Sequence, residues 1–213
     1  MPCNCCQISG RTFNDAAARS SLRQYRRHGP ANQTRELLAA VRSRRLTDAT
    51  LLDIGGGVGA IHQELLGDTA AHATHVDASG AYLRAAEEEA ARRGNSARVR
   101  FIQADFTDVA GDLPPADIVT LDRVICCYPD FRSLLTAAAG HARQVLAMSY
   151  PREVWYVRAA VRLMDLFQSL RRDPFRFFVH PVADMEKILE ASGLRRVSRK
   201  QLGFWEITLY MRS

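Results

Sequence analysis

Lysine is almost missing from this chain. Of its 29 basic side chains only Lys187 and Lys200 are lysines; the rest are arginines, set against 23 acids for a net charge of +6. The arginines form scattered pairs such as Arg26-Arg27, Arg44-Arg45 and Arg195-Arg196, and no block of five like charges occurs, so there is no polyanion-binding tail. A basic excess can mark nucleic acid, an anionic membrane surface or an acidic small ligand; in an Ala- and Arg-rich sequence it can equally be a habit of base composition. No run of about 18 apolar residues exists, which excludes a transmembrane helix. The opening MPCNCCQISGRTFND lacks the apolar core of a signal peptide, so a cytoplasmic protein is expected. CxxC spacing is also lacking. The five cysteines fall into two tight clusters, Cys3, Cys5 and Cys6, then Cys126 and Cys127. They make a poor disulfide framework and no structural zinc site, so free thiols and no bound metal are expected. There is no internal repeat. Whole-chain disorder and collagen-like structure are excluded by 47% hydrophobic and 24% charged residues, and 213 residues suit one compact domain with a sizeable core.

What is present is alternation. Asn14 or Asp15 can cap a first helix that His28-Gly29-Pro30 breaks, and Leu37, Leu38 and Val41 stripe a second. Strand patterns follow at 50–54, 74–77, 98–103, 117–121 and 144–149, separated by helical patterns at about 60–66, 81–93 and 130–140. Such order predicts a parallel, doubly wound α/β sheet with helices on both faces. The tail reads as a helix at 153–170, an irregular stretch through His180-Pro181, a helix at about 182–192, and a closing antiparallel hairpin around Gly203.

The strongest local signal is Asp53-Ile-Gly55-Gly56-Gly57-Val-Gly59, at the end of the first strand. A sharp backbone turn against a ligand needs glycine, and the helix that follows offers unpaired N–H groups to an anion. Asp77, 22 residues after Gly55, ends the second strand, where a carboxylate can accept both hydroxyls of a ribose. Gly55, Gly57 and Ala60 satisfy the dinucleotide pattern of nicotinamide enzymes, although 213 residues leave little room for a second mononucleotide half and a substrate domain.

The combination resembles the class I S-adenosylmethionine-dependent methyltransferases. Their motif, an acid followed by three alternate glycines, is met by Asp53, Gly55, Gly57 and Gly59, and the reversed last strand of their seven-stranded sheet by the terminal hairpin. The resemblance implies S-adenosylmethionine as cofactor. It implies a cradle of Asp53, Gly55, Gly56, Gly57 and Gly59, with Asp77 and Ala78 at the ribose, Asp105 at the adenine amino group with Phe106 beside the ring, and Asp122 and Arg123 at the end of strand four. Within the family, Ser149-Tyr-Pro-Arg152 and Phe178-Val-His-Pro181 are most similar to magnesium-protoporphyrin O-methyltransferases. A His-Tyr-Pro of those enzymes is here Cys127-Tyr128-Pro129, and a Tyr-Phe-Asn is Thr12-Phe13-Asn14. These departures remove the side chains best suited to acid–base work, and the expectation is a small-molecule acceptor, acidic and porphyrin-like or another carboxylate, hydroxyl or thiol.

On the acceptor side the candidates are His180 as base, Tyr128 as its orienting group, and Cys127 beside the methyl. His62, His72, His75 and His141 read as surface residues on helices or strand starts. Residues 1–45 are expected to form a helical lid over a domain at 46–213, with a substrate-side insertion at 151–181. The 153–170 helix, with Val154, Val157, Val161 and Met164 on one stripe, suits packing on the core. It also suits capping an acidic, apolar acceptor or peripheral contact with a membrane. The arginines at 19, 23, 26 and 27, and at 152, 158, 162, 171, 172 and 176, then point to an acidic acceptor. Two other functions stay open: a nicotinamide-dependent oxidoreductase, and a non-enzymatic or nucleic-acid-binding relative. The missing Asn-Pro-Pro-Tyr tetrapeptide after strand four argues against nucleic acid. The sequence leaves the oligomeric state undefined.

Overall fold

The computed structural model describes residues 12–170 and 175–213. The Cys3, Cys5 and Cys6 cluster, Arg171 and Arg172 lie outside them. The first helix, α1 (Asp15–His28), starts where expected: the Asn14 side chain accepts the N–H groups of Ala16 and Ala17, and Gly29 ends the helix with a φ of 73°. Helix α2 (Asn32–Arg42) buries Leu37, Leu38 and Val41.

The alternating segments become β1 (Ala49–Ile54), α3 (Ala60–Leu65), β2 (Ala70–Asp77), α4 (Gly80–Arg92), β3 (Val99–Gln103), the one-turn α5 (Phe106–Val109), β4 (Ala116–Asp122), α6 (Phe131–His141) and β5 (Ala142–Pro151). The tail forms α7 (Trp155–Leu170), α8 (Val182–Ala191), β6 (Leu194–Leu202) and β7 (Trp205–Arg212). Strand β2 begins four residues before its expected start. Its first half, Ala70 to Ala73, lacks β-branched residues but pairs with β1 from Ala49 onward.

The seven strands lie in the order β3-β2-β1-β4-β5-β7-β6. β1 to β5 pair in parallel, and β7 runs antiparallel between β5 and β6. Central strands covered on both faces read as continuous apolar runs, and Leu51 and Leu52 turn to opposite cores. Leu52, Ile54, Val119 and Leu121 join Leu134, Leu135 and Leu189 of α6 and α8. Leu51, Ile118 and Val145 join Leu37, Val41, Ile61 and Leu65 of α2 and α3. The outer strand β6 is exposed from Arg195 to Gln201, and its charges discourage edge-to-edge pairing. The order reverses between β1 and β4, so the ligand crevice of such a sheet lies at their carboxyl ends.

Candidate functional site

Three turns converge there. After β1, Gly55, Gly57 and Gly59 all have positive φ. Gly59 has a φ of 82°, and a Cβ on it would stand 2.5 Å from Cε1 of His62; only glycine combines that conformation with that approach. A Cβ on Gly57 (φ 58°) would meet only the Tyr82 ring, at 3.6 Å.

After β2, Asp77 accepts the Gly57 N–H at 2.9 Å on one oxygen and the Ser79 N–H at 2.8 Å on the other. Burial pushes its pKa up to about 6, against the pull of these two hydrogen bonds. Ala78 follows in the same turn. Ser79 caps α4 and donates its hydroxyl to the Phe13 carbonyl at 2.7 Å. The Phe13 ring meets Tyr82 and Phe175 edge-on. Behind it, Ala18, Leu22 and Tyr25 of α1 pack on Val58 of the glycine turn and Ala85 of α4. The N-terminal helix is thus seated on the glycine turn.

After β3, Asp105 caps α5, its Oδ1 accepting from the Thr107 N–H, the Thr107 hydroxyl and the Tyr128 hydroxyl. Phe106, expected beside an adenine ring, is instead buried with its ring edge on His141. Once Asp105 caps the helix, the next side chain turns into the core, and Phe106 offers the site its backbone alone.

At the end of β4, the Asp122 carboxylate accepts the hydroxyls of Thr34, at 2.6 Å, and of Ser149. Arg123 follows with a φ of 61°, a strained conformation for arginine. Its N–H donates to the Ser149 hydroxyl and carbonyl. Thr34 and Ser149 join α2 and β5 to this corner; Thr34 did not stand out in the sequence, because it reaches Asp122 across the fold.

The next turn holds Cys126, buried, and Cys127, half-buried, with their sulfurs 3.7 Å apart. The Cys126 contact lowers the Cys127 pKa, while burial raises that of Cys126. The Tyr128 hydroxyl binds Thr107 and Asp105, so it braces the Asp105 turn rather than the imidazole of His180. What His180 meets is the backbone: Nε2 donates to the carbonyls of Ile125 and Tyr128 at 3.1 and 3.0 Å. Nδ1 is left as the proton-accepting nitrogen, and burial holds the ring's pKa below its usual value. Its faces pack on Phe131 and Phe178.

Beneath the glycine turn the sequence expectation fails. His62 and His75, read as surface residues, are fully buried. Asp53 pairs in register with His75 across β2 and with Thr120 across β4. Thr120 donates to Asp53 Oδ1 at 2.8 Å, and His62 Nδ1 lies 3.2 Å from Oδ2 and 3.3 Å from His75 Nδ1. A carboxylate oxygen accepts, which puts the His62 proton on Nδ1. Both Nε2 atoms lack a partner. The three ligand-capable atoms lie within 4.8 Å of one another, a spacing a divalent metal could bridge. His141, half-buried, bonds the carbonyls of Ala137 and Ala110; only His72 is exposed as expected. A separate concavity at the amino ends of the strands, lined by Thr50, His72, Arg98 and Pro115, contains none of these groups.

Residues 51–147 match a family model described as a methyltransferase domain. In fold the chain is similar to magnesium protoporphyrin IX methyltransferase from Synechocystis PCC 6803. With SAH bound to that enzyme, the TM-score is 0.76 at 18% identity over 98% of this chain and 100% of that one. With SAM bound it is 0.66 at 19% identity over 84% and 78%. An O-methyltransferase family protein from Burkholderia thailandensis gives 0.73 at 16% identity over 97% of this chain and 62% of that one. No curated protein sequence matches. Residues 51–147 thus match a methyltransferase domain model, and the chain as a whole shares its fold with these methyltransferases.

Proposed function

We propose that the chain is an S-adenosylmethionine-dependent methyltransferase acting on a small-molecule acceptor that bears an acidic, hydroxyl or thiol group, bound between the β4 corner and the 151–181 segment. The observation that carries the reading is the convergence of Asp53, Asp77 and Asp105 with the glycine turn at the carboxyl ends of β1, β2 and β3. The turn's backbone suits the donor's carboxylate and sulfonium end, Asp77 and Ala78 its ribose, and Asp105 its adenine. Asp122 and Arg123 close the corner between donor and acceptor. When bound, the donor supplies a methyl already activated as a sulfonium, so the protein's main work is alignment.

On the acceptor side we assign His180 Nδ1 to take the acceptor's proton where it has one, and Cys127 to line the approach. Tyr128 keeps Asp105 in place. Much of the arginine excess is already committed: Arg26 to Glu88 and Glu89, Arg158 to Glu153, Arg152 to Gln201 and the Gly203 carbonyl. An acidic acceptor is left to Arg162, exposed, and to Arg123, exposed and 3.6 Å from the Asp122 carboxylate.

The test is thermal stabilisation by S-adenosylmethionine and by its demethylated product, followed by a screen of carboxylate, hydroxyl and thiol acceptors for donor turnover. Both nucleosides should raise Tm, and Asp77→Ala should abolish the shift. Stabilisation by a nicotinamide dinucleotide instead would overturn the proposal. In a turnover assay, His180→Gln should flatten the acidic limb of the pH–rate profile; a uniform loss at every pH would assign His180 to holding the 125–128 turn alone.

A further inference from the structure

Helix α7 has two apolar faces, one buried on the fold and one turned largely to solvent. Val157 and Val161 are buried on the fold. At about 100° per residue, Trp155, Leu166, Leu170, Leu163, Tyr156 and Phe167 fall in an arc of about 120° on nearly the opposite side. Trp155 is 80% exposed, Leu170 77%, Leu163 69% and Leu166 60%. The remaining large apolar side chain exposed elsewhere among the described residues is Val197. Scattered exposed apolar residues need no explanation, but a continuous stripe marks a contact surface.

Charge borders the stripe on one side. Arg158 and Arg162 follow Trp155 around the helix, and Arg162 has no polar partner among the described residues. The acids beside it are engaged: Asp165 accepts the Phe177 N–H, and Glu153 accepts the Val182 N–H on one oxygen and pairs with Arg158 through the other, which leaves Arg162 as the uncompensated charge of this border. A second cationic row lies on α1, where Arg19, Arg23 and Arg27 recur every fourth residue, all exposed; Arg19 lies near Asp15, and Arg23 and Arg27 have no polar partner among the described residues. The two helices attach to one rim of the sheet. α7 starts at the carboxyl end of β5, and Phe13, just before α1, packs on Phe175 and is held by Ser79 after β2.

We propose that α7 docks this rim on an anionic bilayer surface, lying in the interface with its Leu and Phe side chains among the acyl chains, Trp155 at headgroup level and the arginines on lipid phosphates. Area argues against a second copy of the chain as the occupant. A 16-residue helix is about 24 Å long, so one face covers about 250–300 Å², well short of the ~800 Å² per partner of a stable dimer. The membrane contact is peripheral: no helix among the described residues is long and apolar enough to cross a bilayer.

The experiment is co-sedimentation of the full chain with phosphatidylglycerol–phosphatidylcholine vesicles and with phosphatidylcholine alone, at low and high salt. Binding should require phosphatidylglycerol and weaken with salt. The triple variant Leu163→Ser, Leu166→Ser, Leu170→Ser should weaken it at least tenfold, and Arg23→Glu should weaken it severalfold. The substituted side chains face solvent, so each variant should keep the wild-type Tm and its shift with donor, which separates lost docking from unfolding and from failure of the methyltransferase reading. No vesicle binding at low salt, or binding unchanged in the triple variant, overturns the proposal. So does a vesicle-free dimer, detected by light scattering, that the triple variant dissolves.

Discussion

The Asp77 carboxylate accepts the Gly57 backbone N–H at 2.9 Å, so the tip of β2 holds the turn that leaves β1. The same carboxylate is the group proposed to accept the ribose hydroxyls, and burial raises its pKa to about 6 from 3.8. A raised carboxyl pKa gives the folded state stability that is complete below the unfolded value and lost as pH rises through about 6. Donor binding runs the other way, because an ionised carboxylate is the better acceptor. Affinity for the demethylated donor, measured by calorimetry between pH 5 and 8, should be level above about 6.5 and fall below 6. Asp77→Asn should bind about 10–100-fold more weakly with a flatter pH profile; an unchanged profile would remove Asp77 from the ribose site.

The glycines of the turn should differ in what they tolerate. Gly57→Ala imposes a left-handed alanine whose methyl makes only ordinary contact with the Tyr82 ring, a cost of about 1 kcal/mol. Gly59→Ala imposes the same strain and drives a methyl into His62, which is pinned between Asp53 and His75; the total should be about 3 kcal/mol. Thermal melts of the two variants without donor should rank them in that order. Equal losses would mean that His62 can move aside.

Glu89 is the clamp between α1 and α4. It is fully buried yet receives Arg26 from α1 and Arg92 and Arg93 from its own helix. Burial works to raise its pKa, and the three arginines overrule it, holding it at about 2. A lowered carboxyl pKa contributes stability that is complete above 4.5 and lost as pH falls toward 2. Glu89→Gln should therefore lose about 3 kcal/mol in denaturant unfolding at pH 7, and less at pH 3. Loss of α1 from the fold should accompany it, read as faster amide exchange in residues 15–28.

What the sequence discloses is what is local. The Asp53–Gly59 spacing, the cap at Asn14 and the strand–helix alternation each depend on neighbours within a few residues, and each of these elements lies within a few residues of its expected bounds. What it hides depends on register and packing. His75 is buried because β2 pairs with β1 so that His75 faces Asp53, and His62 because α3 lies over that pair. Thr34 meets Asp122 across 88 residues of chain. The inner stripe of α7 is legible as Val157 and Val161, but exposure of its outer stripe follows from what the fold leaves uncovered.

The Asp53–His62–His75 group makes acid sensitivity a local property. His75 is fully buried, its Nε2 has no partner, and its Nδ1 faces that of His62 at 3.3 Å. A proton added there gains little hydrogen bonding and lies beside a second imidazole. Burial first, and His62 second, depress the His75 pKa to about 3. A histidine held neutral in the folded state gives stability that is complete above 6.5 and lost as pH falls, because the unfolded chain takes the proton first. The limiting slope is about 1.4 kcal/mol per pH unit, or about 3 kcal/mol between pH 6.5 and 4. Asp77 acts in the opposite sense over part of this range, but it is common to wild type and variant and cancels in their difference. Measured from pH 7 to 4, the unfolding free energy of the wild type should fall by about 3 kcal/mol relative to that of His75→Gln, whatever constant offset the glutamine introduces. Parallel curves would mean that His75 takes up its proton in the folded state, and that the cavity beneath the glycine turn is wet or already charged.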